Sequence, residues 1–347
     1  MTARINFNLG PTEVYNMLST HKLILTSLSK KESTITESAS INTILNDCDK
    51  DIFCCFWDLD NSLEMPMDQT ASDEMFEKLF ESFEHYCALL KFAEDALETL
   101  IESGNHDLTK MTKQQAINTI VDISLAMKYV TPMQLVEGEN TKRVINEINN
   151  KNIRNLIVTA RGLEHIEITE KHLNDTDIDF SMHWPRKTIE LDIGNKSKPV
   201  IYKDGIIYCN GNDKGICIKA FFDYLGIPFT GKSFGMVDDN LNNVNKVMKV
   251  VKENNGTLYA THYTYLNQYI KNFKQNFDFE KTLPQLKNRV SDLHLFQSKV
   301  ALRAQRAIDK LSHAVSKTHS FFSIENNKVA LNIVQYEMIS QKAIPCL

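Results

Sequence analysis

The chain opens its regular patterning at Ile52-Phe53-Cys54-Cys55-Phe56-Trp57, an unbroken apolar run closed by the acidic turn Asp58-Leu59-Asp60-Asn61. A run without alternation predicts a strand buried on both faces, as in a parallel sheet. Ile153–Val158 repeats the pattern, as do Ser233–Val237 and Thr257–Thr261 in shorter form. Between them the period changes to three or four residues. Phe76, Leu79, Phe83, Tyr86, Leu90, Ala93, Leu97 and Leu100 predict a long amphipathic helix from Ser72 to about Glu102. A second helix follows from the cap at Thr112 to Val130, where Thr131-Pro132 stops it, and a third covers Thr141–Asn150. Further helices are expected from Thr159-Ala160-Arg161 to about Leu173, over Gly215–Leu225 and over Asn242–Asn254. Two β-rich runs flank Asp204-Gly205 within Pro199–Cys209, a hairpin signal.

This alternation predicts an α/β fold with a parallel sheet, interrupted by a helical insertion after the first strand. The boundaries follow the pattern. Residues 1–40 read as a loosely packed lead-in, since 19–40 carry little apolar periodicity, and a short helix is expected over Ile41–Asp47. A core is expected over 41–65 and 138–263, a helical cap over 66–137, and a helical C-terminal domain over 264–347, with a long helical pattern from Leu283 to Lys317 and another near Val329–Gln341.

Composition narrows the class. With 347 residues, 42% hydrophobic, 12 Gly and 8 Pro, collagen-like, low-complexity and wholly disordered chains are excluded. No apolar run approaches the roughly 20 residues that cross a bilayer, and the first residues lack a charged segment followed by an apolar one. A transmembrane anchor and a Sec signal are therefore not expected. The seven cysteines are scattered without CxxC spacing, which suits reduced thiols in a soluble, cytoplasmic protein, with Cys54, Cys55 and Cys209 packed inside strands. His165 and His172, seven apart on a helix, read as surface residues.

Charge is segregated. From Thr264 to Leu347 there are 12 Lys+Arg against 6 Asp+Glu, so this stretch carries +6 and the preceding residues -11 of the net -5. Lys299, Arg303, Arg306 and Lys310 share one helical stripe. The plain expectation is a solvated basic face on a packed helix. The sharper one is a surface for anionic membrane lipid or an acidic protein partner. Nucleic acid is not an expected partner, because the chain as a whole is acidic and carries no recognition motif.

Chemistry gathers at the strand ends. The first strand stops at Asp58 and Asp60, the second at Thr159, a later one at Asp238-Asp239, and Lys214 opens the helix after the hairpin. In an open α/β sheet, groups beyond the carboxyl ends of the strands share one crevice. Carboxylates, a hydroxyl and an ammonium together suit a Mg²⁺ site that handles phosphate. Each residue alone has a modest explanation as a turn former, cap or solvated loop; their order along the chain is the signal.

That order resembles the haloacid dehalogenase superfamily of phosphohydrolases. Phe56-Trp57-Asp58-Leu59-Asp60-Asn61-Ser62-Leu63 matches its first motif and Leu156-Ile157-Val158-Thr159-Ala160-Arg161 the second. Lys214 within Gly211–Gly215 matches the third, with Lys219 a less favoured choice, and Val237-Asp238-Asp239-Asn240 the fourth. The match spans about Ile41–His262 and departs at Asn61-Ser62, where the family usually has Gly-Thr. The resemblance implies that Asp58 is a nucleophile and Asp60 an acid and then a base. It implies that Thr159 and Lys214 bind phosphate, and that Mg²⁺ is held by Asp58, Asp238 and the Asp60 carbonyl with support from Asp239. It implies a phosphate monoesterase whose phosphorylated substrate is a protein, through phosphotyrosine, in preference to a sugar phosphate or nucleotide. Similar capped sequences occur in intracellular bacteria, some of them secreted into host cells. The alternative is an inert scaffold of the same fold whose basic C-terminal domain binds lipid or a partner.

Overall fold

The computed structural model describes residues 32–82, 124–125, 127–279, 281–282 and 284–285. Residues 83–102 of the long helix expected from Ser72, the cap at Thr112, all but 284–285 of the helical pattern Leu283–Lys317 with its stripe of Lys299, Arg303, Arg306 and Lys310, and the helix expected near Val329–Gln341 lie outside these residues.

Among the described residues the chain is α/β, built on an eight-stranded, mostly parallel sheet of Rossmann-like form. Its strands are β1 (Thr34–Ser38), β2 (Ile52–Trp57), β5 (Arg154–Thr159), β6 (Thr188–Leu191), β7 (Val200–Lys203), β8 (Ile206–Tyr208), β9 (Ser233–Asp238) and β10 (Thr257–Tyr263). Across the sheet the order is β1-β10-β9-β2-β5-β8-β7-β6. The first six run parallel, while β7 and β6 close the far edge antiparallel. A separate two-stranded ribbon, β3 (Glu64–Pro66) against β4 (Met133–Leu135), joins the two limbs of the insertion.

Strand alternation divides the apolar side chains between two layers. Cys54 and Phe56 of β2 face one way, into a core with Phe234 and Met236 of β9 and with Cys217, Phe221 and Phe222. Cys55 and Trp57 face the other way, towards Ile41, Ile44, Val144 and Ile148. The first layer is covered by α3 (Lys214–Tyr224) and α4 (Leu241–Glu253), the second by a 3-10 segment, Ile41–Lys50, and by α1 (Glu139–Asn150). Helices α2 (Ile166–Thr176) and α5 (Asn267–Asn276) follow β5 and β10. Both faces of β2, β5 and β9 are therefore dry, which is why their sequences read as continuous apolar runs. Burying each Phe or Leu in these layers is worth about 1.5–3 kcal/mol.

Three expectations are corrected. Residues 34–38 belong to the sheet as edge strand β1, paired with β10 on one side; four of its five side chains are exposed, which removes the apolar periodicity by which strands are recognised. His172 is fully buried, its Nε2 2.8 Å from the Lys128 carbonyl, because α2 turns this face inward; His165 is half-buried. Strand β6 was not expected at all. The Asp204-Gly205 hairpin is present, with both residues at positive φ (46° and 89°) as a two-residue turn between twisted strands requires. Cys48, Cys54, Cys55, Cys209 and Cys217 are buried free thiols. No helix among the described residues is long and apolar enough to cross a membrane.

Candidate active site

The strand order reverses at β2. The chain passes from β2 to β5 and β8 on one side, then returns to β9 and β10 on the other. A crevice opens at such a switch point, beyond the carboxyl ends of the strands. Asp58 directly follows β2 and is buried, its backbone N–H donating to the Val237 carbonyl of β9 at 2.9 Å. Asp238 ends β9 and is fully buried; Thr159 ends β5, one strand over, and is buried as well.

Lys214 arrives from the helix layer. Asp213 caps α3 by accepting from the N–H groups of Gly215 and Ile216, which fixes Lys214 as the first helical residue. Gly215 lets α3 close on α4: a Cβ there would lie 2.9 Å from the Lys246 carbonyl oxygen and from Val250 Cγ2. So placed, the buried ammonium donates to Asp58 Oδ1 at 2.5 Å and to Asp238 Oδ2 at 2.7 Å. Lys219, a turn and a residue on, is half-buried and paired with Asp223. Of the two lysines, it is Lys214 that meets the carboxylates at the strand ends, while Lys219 pairs with Asp223 within α3.

Ser62 joins the turn after β2 to the end of β9. Ser62 Oγ donates to Asp58 Oδ2 at 3.3 Å and accepts from the Asp239 N–H at 3.0 Å. Asn61 sits at φ 63°, the left-handed region that glycine enters most freely. Its side-chain amide donates to Glu74 Oε1 of the insertion at 2.8 Å, a contact glycine could not make.

Asp58, Asp238 and Asp239 offer carboxylate oxygens that all lie within 4.8 Å of one another. This crowding has an electrostatic signature. Burial, and then the Asp238 charge, push the Asp58 carboxyl well above the usual carboxylate range, and the same causes push Asp239 up to about 6. For Lys214, burial acts to release the proton, but Asp58 and Asp238 outweigh it and hold the group charged. Three carboxylates crowd around one ammonium that bonds two of them, and a hard divalent cation with oxygen preference fits such a donor set. Thr159 Oγ1 accepts from the Arg161 N–H at 3.2 Å.

Asp60, on the same turn as Asp58, is held by two cations, one of them from the insertion. Its Oδ2 accepts from Arg161 Nε at 2.9 Å, and its Oδ1 from Arg161 Nη2 at 2.6 Å and Lys128 Nζ at 3.1 Å. Burial would raise its pKa, but the Arg161 guanidinium and the Lys128 ammonium dominate and hold the carboxyl well below the usual range. Arg161 also donates to Glu64 Oε1 at 2.7 Å and Thr169 Oγ1 at 2.8 Å, and Lys128 pairs with Asp73 at 2.8 Å. Sequence reasoning quoted Arg161 within a motif but gave it no role, and missed Lys128, Glu64 and Glu74. A charge inside the apolar stretch Leu125–Val130 was the available signal for Lys128.

Comparison with curated proteins and with solved structures gave no match. A family model described as a protein of unknown function (DUF2608) matches residues 36–296, which take in all of the sheet but the first two residues of β1, and every residue of the crevice. With well over half of its length matched, the chain belongs to the DUF2608 family.

Proposed function

We propose that the protein is a Mg²⁺-dependent phosphohydrolase of the haloacid dehalogenase type, which transfers a phosphoryl group to Asp58 and then to water. The observation that carries this reading is the convergence of Asp58, Lys214, Asp238 and Asp239, drawn from three separate stretches of sequence, on one crevice at the switch point of the sheet.

The residues divide the work. Asp58 presents one oxygen held by Lys214 and one held by Ser62, so its carboxylate is fixed for in-line attack on phosphorus. Lys214 supplies positive charge where the equatorial oxygens gather it, and Thr159 adds a hydroxyl from the neighbouring strand end. Asp58, Asp238 and Asp239 would hold Mg²⁺, which when bound offsets repulsion between the carboxylates and a phosphate dianion. Asp60 activates water against the phosphoaspartate. Leu163, Ile216 and Leu241 are exposed apolar side chains just beyond the ends of β5 and β9 and at the start of α3. They suit an aryl leaving group, which supports phosphotyrosine in a protein substrate over a sugar phosphate.

The competing reading, an inert scaffold, draws on the complete engagement of Asp60 by cations. The two separate on turnover: purified protein should release phosphate from p-nitrophenyl phosphate and phosphotyrosyl peptides in Mg²⁺, lose this in EDTA, and lose it in Asp58→Asn. Absence of release across aryl, alkyl and acyl phosphates favours the scaffold.

A further inference from the structure

We infer that Arg161 and Lys128 are positioning residues for Asp60, and that Lys128, supplied by the insertion, makes the setting of Asp60 depend on the insertion being seated on the catalytic turn. This rests on the phosphohydrolase reading above.

The geometry is more specific than neutralisation of a charge requires. A guanidinium fork that meets a carboxylate through two parallel hydrogen bonds fixes the torsion of that carboxylate as well as its place. Arg161 makes such a fork, and its own orientation is fixed in turn by Thr169 on α2 and Glu64 on β3. The line of support runs from α2 through Arg161 to Asp60. Arg161 and Lys128 are both buried, so neither contact is a solvent-screened surface pair.

Lys128 adds the third donor from the other direction. Its ammonium bridges Asp60 to Asp73, so it joins the returning limb of the insertion to the outgoing limb and both to the catalytic turn. The backbone at 128 is itself held, because His172 Nε2 lies 2.8 Å from its carbonyl oxygen. The β3–β4 ribbon ties the same two limbs at their base. Separation of the limbs from the turn would withdraw Lys128 and leave Asp60 with the Arg161 fork alone. Glu74, held by Asn61, makes a second tie between the outgoing limb and the same turn.

Positioning is distinguished from general support by coupling. With p-nitrophenyl phosphate in Mg²⁺, Arg161→Met and Lys128→Met should keep the first burst of nitrophenol and the wild-type kcat/KM. Hydrolysis of the phosphoenzyme should slow by about 100-fold in Arg161→Met, the scale of an ångström's misplacement. Arg161→Lys should recover part of the loss. In an Asp60→Asn background, either methionine variant should cost about twofold or less, because the group it positions is already gone. Losses that multiply in that background, or a burst that falls together with the steady rate, overturn the inference while leaving the phosphohydrolase reading intact. Should Arg161→Met fail to fold, Lys128→Met and Arg161→Lys carry the same comparison. A wild-type protein without turnover defeats the phosphohydrolase reading itself, and the inference with it.

Discussion

Replacing Asp239 by asparagine in protein freed of divalent cation should stabilise it at neutral pH and leave it unchanged in acid. The perturbation is read from the crowding of Asp58, Asp238 and Asp239. Burial first, and the Asp238 charge second, move the Asp239 carboxyl from 3.8 to about 6. At about 1.36 kcal/mol per pH unit, that displacement is worth about 3 kcal/mol. The sign follows from where the proton is held more tightly. The folded protein binds it more strongly than the unfolded chain, so the wild type is favoured while Asp239 is protonated and loses stability as pH rises from about 4 through about 6. Asparagine imitates the neutral acid and carries no such loss. Urea melts in EDTA across this range should show the variant's advantage growing from nothing near pH 4 to about 3 kcal/mol above pH 7, a midpoint shift of about 1 M. Mg²⁺ should then reverse the order of gain. At a hundredfold excess over Kd a bound cation adds about 2.7 kcal/mol, and the variant, lacking one of three carboxylates, should gain less. A variant no more stable than wild type in EDTA, or an advantage independent of pH, would refute the electrostatic account of the cluster.

Lys214→Met removes the ammonium shared by two buried carboxylates and should cost about 3–5 kcal/mol in EDTA, read as a lowered melting temperature; Lys219→Met, which removes only a solvent-screened i,i+4 pair with Asp223, should stay within about 0.5 kcal/mol of wild type. Trp57→Phe deprives Asn155 Oδ1 of its buried indole donor at 2.6 Å and should cost about 1–3 kcal/mol in a denaturant melt. Gly205→Ala should destabilise by more than about 1 kcal/mol, since φ is 89° there and a Cβ would stand 2.3 Å from the Phe180 carbonyl oxygen; wild-type stability in that variant would contradict the described turn.

The strands that carry the crevice were legible because burial on both faces leaves an unmistakable apolar run in β2 and β5, and because capping and turn residues mark Asp213 and Asp204-Gly205. The positions of Asp58 and Asp238 followed from the rule that strand ends converge, and that of Lys214 from its place at the start of the helix after the hairpin. What stayed hidden was whatever depends on contacts distant in sequence. Edge strand β1 has exposed side chains and is recognised only by its partner β10. His172 looked like a surface residue because its burial comes from the insertion packing on α2, with Lys128 forty-four positions away. The engagement of Asp60 by Arg161 joins residues 101 apart, and no local pattern announces such a pair.

The most direct test of the central claim is capture of the phosphoenzyme. Asp60→Asn protein turned over with p-nitrophenyl phosphate in Mg²⁺ should be quenched in acid within the burst, digested, and its peptides weighed. The account predicts one phosphoryl group on the peptide bearing Asp58, released by hydroxylamine and absent from Asp58→Asn. Nitrophenol release with no modified peptide, together with wild-type turnover by Asp58→Asn, would contradict it.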